Sequence, residues 1–271
     1  MWLQASCEMH FEVEVPTPFI FMLRPRNTGG QWITRESYSI QPSIPLSEFS
    51  DAYGNSCQRL VAPPGILTIA TSATVHTPAT LDVAPGAPFV DVEHLPNEVL
   101  TYLFPSRYCE SDRFLEMSHE IVGDVNPGYD QVELIHQWLR KKITFNPHSP
   151  YFQMSAIEVN LAGEGVCREI AHLGIALCRS LCIPARMVVG YLYGLEPMDF
   201  HAWFEAFVAG RWYAFDPTQP EPRGGRVIVA YGHDASDVAI YSQFGPALYA
   251  SRMLVNVEQL QEPEHRDAWK D

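Results

Sequence analysis

The chain lacks any run of about 18 apolar residues, the least that spans a membrane as a helix, and Met1 to His10 lacks the basic-then-apolar pattern of a secretory leader. No membrane partner is expected, and a soluble, cytoplasmic location is. Positive charge is scarce: 18 Lys and Arg stand against 32 Asp and Glu, a net charge of −14. That balance argues against a nucleic-acid partner, which needs a basic surface. The six cysteines, Cys7, Cys57, Cys109, Cys167, Cys178 and Cys182, form no paired C-x-x-C pattern. A zinc site is therefore not expected, and in a reducing compartment most are expected to be free thiols. Cys178 and Cys182, four apart, leave only a weak metal or redox alternative. No internal repeat or low-complexity run is present.

What is present is a globular composition, 46% hydrophobic with 12% aromatics over 271 residues, enough for one large domain or two small ones. Residues 1–80 read as an antiparallel β-sandwich. Glu8 to Val15 alternates, with Met9, Phe11, Val13 and Val15 on one side. Phe19–Leu23, Trp32–Ile40, Cys57–Ala62 and Ile66–His76 are further strands, punctuated by turns at 24–30, 51–55 and 63–65. Residues 81–99 are read as a linker, set in a stretch with Pro78, Pro85, Pro88 and Pro96. Residues 100–260 form a core, and 261–271 a polar tail. In the core, a helix carries Phe114, Leu115 and Met117, and Asp130–Ile143 is an amphipathic helix. A short helix is expected from Ser155 to Gly163, after a loop through Tyr151, Phe152, Gln153 and Met154.

The stretch that organises the rest is Gly165-Val166-Cys167-Arg168-Glu169-Ile170-Ala171-His172. Cys167 opens a helix running to Leu181 that is apolar nearly all round, so the helix is expected to be central and buried. A helix N-terminus favours the thiolate, and so does a neighbouring imidazolium. The same unpaired backbone N–H groups can form an oxyanion hole, with the Cys167 N–H as a donor. After a strand at Arg186–Tyr193, residues 200–208 and 211–215 read as a hairpin turning at Ala209-Gly210. A two-residue turn pairs Val208 with Arg211 and Trp203 with Asp216. Asp216 then lies diagonally opposite His201 on one face, within reach of a hydrogen bond, while the other ring nitrogen is left for Cys167. Further strands are expected at Val227–Tyr231 and Met253–Val257. Cys178, Cys182, His172 and the remaining histidines are read as structural.

Three blocks carry a resemblance: Gly165 to Arg186, His201-Ala202-Trp203-Phe204-Glu205, and Trp212 to Thr218. In order and spacing they resemble the transglutaminase-like superfamily, over roughly residues 100–260. The strand-rich start, with its Asp51-x-Tyr53-Gly54-Asn55 turn, is similar to the N-terminal region of bacterial members. The resemblance implies an α+β fold in which a papain-like core, a central helix packed on an antiparallel sheet, follows the sandwich. It implies acyl transfer from an amide or peptide through a cysteine thioester. Cys167 would be the nucleophile, His201 the general base and then acid, and Asp216 the residue that orients His201. No cofactor and no metal are carried over. Peptide or protein substrates are expected, and hydrolysis is favoured because water needs no acceptor site. A transglutaminase using an amine acceptor and a non-catalytic scaffold are the alternatives. Glu169 stands where many relatives have aspartate. Gln153 is a candidate second oxyanion donor.

Overall fold

The computed structural model describes residues 1–28, 30–147 and 153–261. Tyr151, Phe152 and all but the first residue of the expected polar tail lie outside them. Among the described residues no helix is long and apolar enough to cross a membrane, and no three His, Cys, Asp or Glu side chains group to hold a metal.

Six strands open the chain: β1 (Trp2–Val13), β2 (Thr17–Phe21), β3 (Trp32–Gln41), β4 (Leu46–Ser50), β5 (Ser56–Ala62) and β6 (Gly65–His76). The helical region follows, with α1 (Asn97–Leu100), α2 (Leu115–Val122), α3 (Tyr129–Lys142), β7 (Thr144–Phe145), α4 (Ala156–Ala162), β8 (Glu164–Gly165) and α5 (Cys167–Ser180). Then come β9 (Ala185–Leu192), β10 (His201–Val208), β11 (Arg211–Phe215), β12 (Arg226–Gly232), β13 (Tyr241–Gln243) and β14 (Arg252–Leu260).

The sandwich consists of sheets ordered β14-β1-β6-β3 and β13-β2-β5-β4. Alternation in β1 buries Met9, Phe11 and Val13, as the sequence predicts, and extends back to Leu3. Val15 breaks the pattern: it lies beyond the strand and is 44% exposed. The two inner faces meet through aromatic rings, with Phe11 5.2 Å from Phe19 and 5.9 Å from Phe21. The last strand departs from expectation. Sequence reading groups Met253–Val257 with the core; instead β14 runs antiparallel to β1, with Met9 opposite Met253 and Ala5 opposite Val257. The chain's end thus completes a sheet begun at its start.

The core sheet is ordered β11-β10-β9-β12. One face packs on α5, whose residues from Glu169 to Arg179 are all buried. Close approach depends on Gly174, where a Cβ would fall 2.6 Å from the Phe204 ring. A second contact without room is Gly190 on β9, whose added Cβ would sit 2.0 Å from the Val227 carbonyl oxygen of β12. Gly190→Ala is therefore expected to cost more than about 2 kcal/mol, read as a lowered midpoint in chemical denaturation.

On the other face Leu95 and Val99 pack against Phe207 and Trp212, and loops of the sandwich close the free edge of β12. The Gln31 amide bonds both backbone groups of Ile228, donating to its carbonyl at 2.9 Å and accepting from its N–H at 2.6 Å. Asn55 treats Tyr231 in the same way, at 2.7 and 2.9 Å. Asp51 holds the Asn55 amide at 2.8 Å, so the turn expected at 51–55 is also a docking element. Behind it, the Arg186 guanidinium lies over Tyr231 at 3.7 Å and over Trp212 at 4.1 Å, while bonding Glu205 at 2.7 Å.

Candidate active site

Helix α5 begins at Cys167 because the backbone before it is extended at Val166, φ −83° and ψ 172°, and Glu169 accepts the Val166 N–H at 3.0 Å. That reciprocal bond is the back half of a capping box. Glu169 also accepts the Met154 N–H, at 3.3 Å, and is fully buried. The sequence marks this position only as a departure from the common aspartate. Its work is to fix the helix start and the Met154 strand of chain beside it. Cys167 itself is half-buried, with its sulfur open to a cleft.

The hairpin has the register that a two-residue turn requires. Ala209 and Gly210 both have positive φ, 49° and 80°, which matches the twist of paired strands. Val208 faces Arg211 and Phe204 faces Phe215, so Trp203 and Asp216 are the next pair out. The diagonal contact then follows: His201 Nε2 lies 2.7 Å from Asp216 Oδ2, with both side chains almost fully buried. The second ring nitrogen, Nδ1, is left for the Cys167 thiol, whose nearness raises the imidazole. The structure thus brings Cys167, His201 and Asp216 into one chain of contacts.

Two partners of Asp216 complete this arrangement. Thr218 donates to Oδ1 through its hydroxyl at 2.7 Å and its N–H at 3.2 Å. Arg226 Nη2 donates to Oδ2 at 2.9 Å, from the first residue of β12. Burial alone would raise the Asp216 carboxyl. His201, Arg226 and these hydrogen bonds outweigh it and hold the group well below the usual carboxylate range. Burial likewise would lower His201, but Asp216 and then Cys167 push it up to about 9. The imidazole therefore carries its proton at neutral pH, next to the sulfur.

Gln153 lines the same cleft as Cys167 and His201. The cleft encloses about 370 Å³ between the helix start, β10 and the segment after β12, within the size range of substrate sites. His172, one turn and a half along α5, stays out of the cleft. Its Nδ1–H donates to the Met154 carbonyl at 2.9 Å, and its Nε2 accepts the Ala235 N–H at 3.2 Å. Burial pushes it down to about 4, so it stays neutral and ties the helix to both cleft walls. Cys178 is buried inside α5 and Cys182 is exposed, with a left-handed φ of 60°.

The family model for the transglutaminase-like superfamily matches residues 116–217. A crystal structure of a candidate cysteine protease from Cytophaga hutchinsonii is 36% identical and superposes with a TM-score of 0.90, covering 97% of this chain and 92% of that one. An uncharacterized protein of Mycobacterium leprae is 26% identical over 244 residues, 82% of this chain and 86% of the relative. By the matched core, and by a relative alike over nearly its whole length, this chain belongs to the transglutaminase-like superfamily.

Proposed function

We propose that this protein is a thiol-dependent acyl-transfer enzyme that hydrolyses an amide or peptide bond. The observation that carries the proposal is the buried His201–Asp216 hydrogen bond with the Cys167 thiol beside the same ring, in one cleft. In this reading the Cys167 sulfur attacks the substrate carbonyl carbon, and the oxyanion that forms is met by backbone N–H groups at the start of α5, with Gln153 as second donor. The His201 imidazolium gives its proton to the leaving amine as the C–N bond breaks, and a thioester remains. Neutral His201 then takes a proton from water, which attacks the thioester and releases a carboxylic acid and the thiolate. Asp216 keeps the ring in one tautomer throughout, while Arg226 and Thr218 keep Asp216 ionised. The kinship with the candidate cysteine protease supports hydrolysis and a peptide or protein substrate. A scaffold would have no use for a buried carboxylate, an imidazolium and an arginine held in line.

Alkylation with iodoacetamide, read by mass spectrometry, tests the reading. Burial pushes Cys7 up to about 12 and Cys57 up to about 11, and it raises Cys109 and Cys178 further, so these thiols stay inert. Cys182 competes by exposure alone. At pH 6.5, Cys167 is expected to react at least about ten-fold faster than Cys182, and His201→Ala to erase that lead. Equal rates at the two cysteines would remove the basis for a nucleophile.

A further inference from the structure

The cleft differs from the rest of the molecule in charge and polarity. The chain carries a net −14, yet no carboxylate lines the cleft among the described residues. Besides His201, its one charged side chain is Arg168, next to the nucleophile. The wall opposite is mostly apolar, with Tyr241, Gln243 and Tyr249 as its polar members. Val238 and Ile240 come from the segment after β12, Leu248 from the loop after β13, Met253 from β14 and Met9 from β1.

This wall is held in place before any substrate arrives. Asp234 accepts N–H groups from Tyr108 at 2.7 Å and Ser236 at 2.8 Å, and His172 accepts that of Ala235. Tyr241–Gln243 pairs with Phe19–Phe21 and joins the wall to the sandwich. The apolar surface also continues outward: Phe244 is 58% exposed and Met253 40%. A small amide would leave that outer part uncovered, whereas a polypeptide would lie across it.

We infer that the cleft is a polypeptide subsite that takes a bulky apolar side chain beside the reacting carbonyl and rejects a cationic one. The inference rests on the catalytic reading above and names its substrate class. A lysine or arginine here would face Arg168 and an imidazolium, and would lose its hydration against Val238, Ile240 and Leu248 with no carboxylate among the lining residues. A leucine or phenylalanine side chain meets matching surface at Val238, Ile240, Leu248 and Met253. Burying one such side chain supplies about a 10- to 100-fold gain in binding. The sandwich thereby has a direct part in selectivity through Met253 of β14, which is exposed and backed by the buried Met9 opposite it.

The test uses the full-length Cys167→Ala protein and fluorescein-labelled decapeptides identical except for one central residue: Phe, Leu, Lys or Glu. Fluorescence anisotropy is expected to rank Phe and Leu tightest, Glu next and Lys weakest, with at least about ten-fold between Phe and Lys. Met253→Glu in the same background, checked for folding by its thermal melt, is expected to weaken the Phe peptide about ten-fold and strengthen the Lys peptide. Met253→Leu should leave the order unchanged. Equal affinities, Lys tightest, no binding by any peptide, or a folded Met253→Glu protein with unaltered ranking would each overturn the inference. The catalytic reading fails separately: in that case the Phe peptide binds as expected, yet the wild-type protein neither cleaves it nor forms a Cys167 adduct with it.

Discussion

Asp216→Asn is expected to reduce turnover by about 10⁴-fold while leaving the protein folded, the scale seen when the carboxylate of such a triad is made neutral. The cause lies in the donors around that carboxylate. Oδ2 accepts from His201 and Arg226, and Oδ1 accepts twice from Thr218. An asparagine has one oxygen for these two sets. If its amide nitrogen turns to His201, Nε2 becomes an acceptor and the ring proton moves to Nδ1, the nitrogen that must receive a proton from the thiol. If it turns to Thr218, an N–H faces an N–H. In both cases the charge that keeps His201 protonated is gone. Steady-state kinetics on a cleaved peptide and Cys167 alkylation at pH 6.5 check this together, since both should fall. Stability adds a signature. His201 is raised from its ordinary 6.5 to about 9 in the folded protein, so its contribution is complete below pH 6.5 and is lost as pH rises through about 9. Denaturation midpoints of the wild type should fall over that window, and those of Asp216→Asn should stay flat. A variant with normal turnover would remove Asp216 from the mechanism.

Arg226→Met is expected to destabilise the protein by about 3 kcal/mol or more at pH 7, the usual cost of stripping one partner from a buried ion pair. Its side chain and that of Asp216 are both nearly inaccessible to water. Arg226 Nε and Nη1 have no hydrogen-bond partner among the described residues, so its contribution runs through Nη2 to Asp216 and through the Trp203 ring, 4.7 Å from the guanidinium carbon. Methionine fills similar volume and makes no bond, leaving a buried carboxylate with His201 and Thr218 alone. Urea denaturation measures the loss. The double variant Asp216→Asn/Arg226→Met should lose less than the sum of the two, because once one charge is gone the other change removes less. Strict additivity would mean that the pair is not coupled.

The site was largely legible in the sequence because its geometry is local. Two positive-φ residues at 209 and 210 fix the hairpin register, and that register alone sets His201 diagonal to Asp216. The start of α5 was legible too, since glycine on either side of Glu164 precedes a run with a helical apolar face. What could not be read was assembled from distant parts. Arg226 looks like any charged residue at a strand end, and only the fold puts its guanidinium on Asp216. Residues 46–50 are exposed throughout, so β4 has no alternation to betray it. Strand β14 buries only Val257 fully, and nothing in Arg252–Leu260 says that its partner lies about 250 residues earlier. Glu169 drew notice only as a substitution, because its value lies in the backbone groups it receives.

The two side-chain amides along β12 mean that the core half has no finished border of its own. Gln31 and Asn55 occupy the positions that a neighbouring strand would take, so an excised core would present open backbone donors and acceptors to other copies of itself. Substitutions on the sandwich's outer surface leave that border closed, whereas losing either amide would turn it into a seam for polymerisation.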